Sequence, residues 1–435
     1  MILSKYCLTY PDPYDISSTI LFSTKNASII SVPRSFLGDV ETGSIAEEEQ
    51  AAPVELGMIV DSPEDERREM LGFFDDLNSG SRVLGLKVAM NLDCNFNCVY
   101  CFEGQRKGRL CMTDETAGAV AAEVEKWVES LGERKGDEKV IVTFYGGEPL
   151  LSADIVVSLS ERLKEYAKEN CISYVAHMNT NGSLLKVRMA RRLAYAGVTE
   201  VAVPLDGPEE VHDRCRPFRG DSGSFNAIVK NLHAVSDILG VAVTGNYMED
   251  NYEAFPQLLD YFLDHGLTPE KIRSVRFDPV TNESEGVGPA GFREGCVTYN
   301  EDWIVEASLF LREEILRRGY KTNKMGPAVC SMDMDHSFLV NHDGNIYKCP
   351  GIIGREEFKV DHLNNGLPSG RQPHGRDSWK NGECLDCSYL PLCFGGCRYM
   401  KFIRDGNMDG VDCRKPYLDA TLEAMVRQDA KYCLT

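Results

Sequence analysis

The stretch "MNLDCNFNCVYCFEG" (residues 90–104) places Cys94, Cys98 and Cys101 at x3 and x2 spacing, directly after the apolar run "VLGLKVA" (residues 83–89). Three thiolates at that spacing can hold three irons of a cubane cluster. The fourth iron then lacks a protein ligand. A structural zinc site wants four ligands and a plain ferredoxin cluster four cysteines. An open iron suits a cluster that binds something.

Outward from this stretch the pattern is strand, then helix, repeated. "VLGLKVAMNL" reads as a buried strand, and "TDETAGAVAAEVEKWVESL" as a helix with Ala117, Val120, Ala121, Val124, Val128 and Leu131 on one face. "KVIVTFYGG", "ISYVAHMNTNG", "VTEVAVPLDG", "VAVTGNYM" and "IRSVRFDPV" are five further strands, with amphipathic helical runs between them. This α/β rhythm predicts a parallel sheet with right-handed crossovers. Six units suit an open, partial (β/α)6 barrel better than a closed eight-stranded one. Chemistry in such folds lies at the C-terminal strand ends. The polar punctuation falls there: Cys94, "YGGEP" (145–149), "NTNG" (179–182) and "LDGP" (205–208).

Residues 1–80 read as a small unit of their own. "STILFSTKNASIISVP" is a hairpin around Lys25 and Asn26, "RSFLGDVETG" a short helix, and "SIAEEEQAAP" an acidic, partly loose stretch. "LGMIVD" is a third strand, and Ser62 caps a helix over "SPEDERREMLGFFDDL". Residues 81–320 form the barrel. Residues 321–435 are loop-rich, and eight cysteines lie between positions 330 and 435. Such a segment builds little core of its own, and metal clusters would substitute for one.

The composition excludes some classes. With 47 basic and 67 acidic residues the formal charge is −20, without the basic clustering of a nucleic-acid binder. No run reaches the apolar length of a membrane span. The opening "MILSKYCLTYPDPY" has no basic n-region or long apolar h-region, so the chain is expected in the cytoplasm. Sixteen cysteines in that compartment point to metal or cluster ligation, not to disulfides.

The C-x3-C-x2-C triad after the first strand, with the adjoining aromatic Tyr100, resembles the radical S-adenosylmethionine (SAM) superfamily. The resemblance implies that Cys94, Cys98 and Cys101 are the catalytic cluster ligands of a 4Fe-4S centre that binds SAM. "YGGEP" resembles that family's second-strand motif. Gly146 and Gly147 would let backbone groups approach a ligand, and Glu148 would pair with the SAM amino group. Ribose and carboxylate contacts are implied near Asn181, Asp206 and Arg216, where a structural turn is the competing reading. "HDRCR" (212–216) is similar to the "HDxxR" of the same branch. Such enzymes cleave SAM to a 5′-deoxyadenosyl radical that takes a hydrogen atom from the substrate.

The C-terminal cysteines read Cys330-x13-Gly344-x4-Cys349, then Cys384-x2-Cys387-x5-Cys393-x3-Cys397, then Cys413. This resembles the SPASM domain of peptide- and protein-modifying members. By that analogy Cys384, Cys387, Cys393 and Cys413 hold one auxiliary 4Fe-4S cluster, and Cys330, Cys349 and Cys397 hold another, which makes three clusters in all. Two full auxiliary clusters need eight ligands and the motif supplies seven. His336, Cys296 and Cys433 are candidates for the eighth, but an iron left open for a substrate thiolate is the preferred expectation. Cys7, Cys111, Cys171 and Cys215 are expected to be buried apolar residues.

Maturases of ribosomal peptides often begin with a winged-helix-like module that grips the precursor's leader, and residues 1–80 fit it, with a barrel cap as the competing reading. As a whole the chain resembles thioether-forming (sactipeptide or ranthipeptide) maturases, and its opening residues resemble the geopeptide type. The implied partners are a Cys-rich precursor peptide with a leader and a flavodoxin- or ferredoxin-type reductant, with no nucleic acid and no membrane. Two alternatives differ in class. One is an anaerobic sulfatase-maturase-like protein oxidase, against which Pro350 stands where that family has an aspartate. The other is a non-catalytic iron–sulfur electron-transfer or binding protein.

Overall fold

The computed structural model describes residues 1–101, 103, 108–281, 295–368 and 377–433. The chain opens with β1 (Ile2–Leu3), β2 (Cys7–Pro11), β3 (Ser18–Ser23), β4 (Ile29–Pro33), α1 (Ser35–Thr42), α2 (Glu47–Glu55), β5 (Ile59–Val60) and α3 (Pro63–Ser79). The expected hairpin is β3–β4, but β2 joins it as a third antiparallel strand. The strand in "LGMIVD" does not join that sheet; β5 pairs with β1 instead. The acidic stretch is helical, with Pro53 inside α2. Ser62 caps α3 as expected, its hydroxyl accepting from the Asp65 amide at 3.2 Å.

The barrel strands are β6 (Val83–Ala89), β7 (Lys139–Tyr145), β8 (Ser173–Asn179), β9 (Val198–Pro204), β10 (Gly240–Tyr247) and β11 (Ile272–Pro279). The helices between and after them are α4 (Asp114–Ser130), α5 (Ala153–Glu169), α6 (Val187–Ala196), α7 (Glu209–Cys215), α8 (Phe225–Val235), α9 (Phe255–Asp264) and α10 (Asp302–Arg317). All five neighbouring pairs from β6 to β11 are parallel, so this is an open (β/α)6 partial barrel. The α4 face expected from periodicity is the buried one, and Thr113 caps it. Along β7 fully buried residues alternate with half-buried ones, and the ends of β8 and β9 repeat the pattern. Val142, Phe144, Ala176, Met178, Val201 and Val203 are all fully buried. Phe144→Ala is expected to cost about 3–5 kcal/mol, read as a lower urea midpoint.

The C-terminal segment extends this sheet. It contains β12 (Ser337–Val340), β13 (Asn345–Tyr347), β14 (Asp361–His362), α11 (Gly382–Leu385), α12 (Leu390–Cys393), α13 (Arg398–Asp405) and α14 (Lys415–Cys433). β12 lies parallel to β6, and β13 and β14 follow antiparallel, giving nine strands in order β11-β10-β9-β8-β7-β6-β12-β13-β14. The loops do not rely on clusters alone for a core. Trp379, Leu385, Leu390 and Phe394 are buried against Tyr6, Met70 and Phe74 from the first 80 residues. Ile20 and Phe22 of β3 pack on Leu418, Leu422 and Val426 of α14. No helix of the described residues is long and apolar enough to cross a membrane.

Candidate active site

The chain leaves β6 at Ala89 and loops over the C-terminal end of the barrel with its three cysteines. Two turns clamp this loop. On one side the Gly147 and Glu148 amides donate to the Asn91 and Asp93 carbonyls at 3.1 and 2.8 Å. A Cβ on Gly147 would sit 2.3 Å from the Asp93 oxygen, and one on Gly146 2.5 Å from the Asn91 oxygen. The glycines are therefore required by backbone packed on backbone. On the other side the Asn97 and Val99 amides donate to the Pro217 and Cys215 carbonyls at 2.9 and 3.0 Å, and Phe96 meets Phe218 edge to face.

The clamped loop roofs a cavity of about 420 Å³, a size typical of small-ligand sites. Cys94, Cys98, Cys101, Tyr100, Gly146, Gly147, Asn181 and Arg216 all line it. The Asn181 amide nitrogen reaches the Cys94 sulfur at 3.9 Å and the Asn95 side chain at 2.8 Å. Arg216 donates to the Tyr100 hydroxyl at 2.8 Å, and its buried Nε has no hydrogen-bond partner among the described residues. Burial works against the Arg216 charge, but Cys98, Tyr100 and Asp206 hold its pKa well above the ordinary value. A buried cation with an unsatisfied donor, beside three thiols, fits an anionic ligand next to a metal cluster.

Glu148 and Asp206 sit behind the cavity wall. Both are fully buried and do not line the cavity. Glu148 accepts from Leu150 N at 2.9 Å, Thr180 Oγ1 at 2.7 Å and Asn181 N at 2.7 Å. It caps the turn after β7 and ties that turn to the end of β8. Asp206 accepts from the Tyr100 hydroxyl and from Asn246 N at 2.9 Å, and lies 3.9 Å from Arg216. It braces the two cavity-lining groups from behind. Burial pushes both carboxyls up against the pull of these donors.

Of the "HDRCR" residues, His212 and Asp213 act through structure. His212 Nδ1 accepts the Asp206 amide at 3.1 Å, so the ring is neutral with its proton on Nε2, facing Ser224 Oγ at 2.9 Å. Asp213 accepts from the Ser224 and Phe225 amides and thereby caps α8. Burial and Arg216 hold the His212 pKa well below its usual value. The unfolded chain then binds a proton that the fold does not. The resulting stability is complete above about pH 6.5 and is lost as pH falls toward the folded value, by up to about 1.4 kcal/mol per pH unit. Thermal melts from pH 7.5 to 5 are expected to show this decline, and His212→Gln to flatten it.

The seven C-terminal motif cysteines fall into two groups. The Cys349 thiol is pushed up to about 12 by burial, with Cys397 and Cys330 adding to the rise. Cys384 is raised by burial and then by Cys393, Cys413 and Cys387. Gly396, at φ +78°, makes the second group possible: a Cβ there would lie 1.9 Å from the Asp412 carbonyl, next to Cys413. Among the described residues no three His, Cys, Asp or Glu side chains gather closely enough to hold a single metal ion.

Other candidates are accounted for. His336 Nδ1 faces the Trp127 indole nitrogen at 3.4 Å and is a packing residue. Cys296 is fully buried in the aromatic cluster on which Cys397 packs. The Cys433 side chain lies outside the described residues. Cys7 and Cys215 are buried as expected, but Cys111 and Cys171 are exposed. Cys171 sits at φ +56° in the turn that ends α5, and Cys111 on an edge bridge to Asn91, so neither reaches the core.

Four residues without a sequence assignment matter here. Asn246 and Arg276 bring polar groups to the cavity from β10 and β11. Asn246 was marked by the same signal as Asn181, a polar residue at the end of an apolar strand. Tyr145 lines the cavity and packs beside Tyr347 and Ile353, which flank Cys349. Arg414 lies half-buried over the Tyr299 ring at 4.2 Å, and its charge is held by Tyr299, Cys397, Asp412 and Cys393 against the cost of burial.

The sequence profile of the radical SAM superfamily matches residues 90–262. Those residues are a radical SAM domain, the class that works with SAM and a 4Fe-4S cluster. The chain is 26% identical over 353 residues to Fe-coproporphyrin III synthase of Methanosarcina barkeri, covering 78% of each chain. It is 23% identical over 349 residues to the cysteine-type anaerobic sulfatase-maturating enzyme of Clostridium novyi, covering 74% of this chain and 90% of that one. Among solved structures, Streptococcus suis SuiB bound to S-adenosylmethionine aligns at TM-score 0.52 and 16% identity, over 94% of this chain and 98% of that one. SuiB bound to the precursor peptide SuiA aligns at TM-score 0.50 and 16% identity, over 95% and 98%. At these identities the structural likeness is one of fold.

Proposed function

We propose that this protein is a radical SAM maturase that modifies a ribosomally made, Cys-rich peptide in the cytoplasm, forming Cys thioether crosslinks. The observation that supports it best is Tyr145. It lines the cavity holding Cys94, Cys98 and Cys101, and it has Cys101 and Cys349 as electrostatic neighbours. Tyr145 thus stands between the cavity and Cys349 of the C-terminal segment.

In this reading Cys94, Cys98 and Cys101 hold a 4Fe-4S cluster, and Cys384, Cys387, Cys393 and Cys413 hold an auxiliary one. Cys330, Cys349 and Cys397 hold a third with a place left for a substrate thiolate. SAM held beside the first cluster would supply a 5′-deoxyadenosyl radical for hydrogen-atom abstraction from the peptide. The chain's own groups bind and orient. The Arg216 cation and the Asn181 amide present donors to the cavity, and Asp206 and His212 hold Tyr100 and Arg216 in place. The Gly146–Gly147 backbone closes one wall. Residues 1–80 would grip the leader, whose extended chain could add to an exposed strand edge. The reductant is a flavodoxin- or ferredoxin-type protein.

The likeness to the Clostridium novyi enzyme favours a second reading, oxidation of a peptide Ser or Cys to formylglycine. Pro350 after Cys349 gives that chemistry no base at this position. Anaerobic co-expression with a Cys-rich precursor, followed by mass spectrometry with a thiol alkylator, separates the two. Loss of two hydrogens per link, with cysteines that no longer alkylate, supports the thioether reading. A formylglycine product, trapped by a hydrazide, overturns it. Full iron content in Cys296→Ala would support an auxiliary cluster that needs no fourth protein ligand.

A further inference from the structure

α6 carries a charge arrangement that its own fold does not call for. Arg188, Arg191, Arg192 and Tyr195 follow i, i+3, i+4, i+7 spacing and share one face. They line an open groove of about 620 Å³ against Val157 and Glu161 of α5. Arg188 and Arg191 are exposed, and among the described residues neither is in an ion pair; Arg192 pairs with Asp154. Tyr195 is 76% exposed. Cations in the first turns of a helix oppose its dipole, and like charges at these spacings repel. α6 has no acid in its first turn to offset them. The cluster weakens the helix and stands on a chain of net charge −20.

The patch is also close to the cysteine loop. Ser183 accepts from the Asn95 side chain at 2.9 Å, and Asn181 reaches Cys94. From Ser183 to Arg188 is five residues, at most about 17 Å of extended chain.

We propose that the outward face of α6 is the docking site of an acidic one-electron donor protein. This rests on the radical SAM maturase reading, which requires a reductant. On a strongly acidic chain a local basic patch both attracts and orients an acidic donor. The exposed Tyr195 supplies the aromatic anchor typical of an interface centre. In the step itself one electron leaves the donor, which is oxidised, and enters the maturase, which is reduced. No bond forms or breaks.

The test uses the holoprotein and a reduced acidic 2Fe-2S ferredoxin as probe. Binding is measured by anaerobic titration calorimetry at about 0.02 and 0.3 M salt, and 5′-deoxyadenosine formation is driven by ferredoxin or by dithionite. The paired charge reversal R188E/R191E is expected to weaken binding and ferredoxin-driven turnover at least about tenfold, as loss of electrostatic steering predicts. Dithionite-driven turnover should stay within about twofold, and R188K/R191K should retain binding. High salt should abolish the difference, because the screening length falls well below 10 Å above 0.1 M. Equal ferredoxin affinity in wild type and R188E/R191E overturns the docking site while leaving the maturase reading intact. No 5′-deoxyadenosine from wild type with dithionite overturns both.

Discussion

Cys98→Ala is expected to abolish 5′-deoxyadenosine formation, a fall of at least about 10³-fold, equivalent to some 4 kcal/mol of barrier. Cys94→Ala and Cys101→Ala should behave alike. All three thiols line one cavity with Arg216, and on the proposed reading three ligands would leave no redundancy, each loss stripping an iron of its protein anchor. The fold itself should survive. Cys98 and Cys101 are only partly buried, and the loop is still held by backbone bonds to Gly147, Glu148, Pro217 and Cys215. Cys349→Ala should give the opposite split. SAM cleavage persists, because Cys349 is not among the residues lining the cavity, and the peptide leaves unmodified. Liquid chromatography of the nucleoside and mass spectrometry of the peptide, run on the same reactions, read both halves. Modified peptide from Cys349→Ala would remove the C-terminal clusters from the chemistry.

Gly147→Ala is the second large effect, and it acts without touching a thiol. The new methyl would lie 2.3 Å from the Asp93 carbonyl oxygen and 2.8 Å from its carbon. Both are backbone atoms in the loop that presents Cys94, so no side-chain rotation can relieve the clash. The loop must move away, and the Gly147–Asn91 and Glu148–Asp93 hydrogen bonds go with it. We expect reconstituted protein to lose about four irons per chain, one cubane, while the C-terminal clusters load normally. Iron and sulfide analysis beside the wild type measures this. Gly38→Ala is the control, since a Cβ there meets nothing within 4 Å. Full loading of Gly147→Ala would mean that the clamp is not needed.

The chain order of the barrel, the triad of cysteines and the seven-cysteine motif were legible in the sequence. Each rests on information carried along the chain: strand and helix periods, and covalent spacing between thiols. The radical SAM match over residues 90–262 agrees with that reading. Side-chain direction at the strand ends was not legible. Glu148 and Asn181 both follow barrel strands, yet one caps a turn behind the wall and the other faces the cavity. Which way Glu148 points depends on the turn it enters and on donors just past the end of the neighbouring strand, the Thr180 hydroxyl and the Asn181 amide. Long-range pairing was equally hidden. β12 lies beside β6 although more than 240 residues separate them, and Trp379 finds its core partners in Tyr6 and Phe74. Local pattern says that a segment is apolar and extended, but not which distant surface will cover it. By itself, then, the sequence determined the fold class and the radical SAM resemblance, because spacing and period are local. Only the tertiary structure decided which polar groups face the cavity and which thiols are neighbours, because both depend on contacts between segments far apart in the chain.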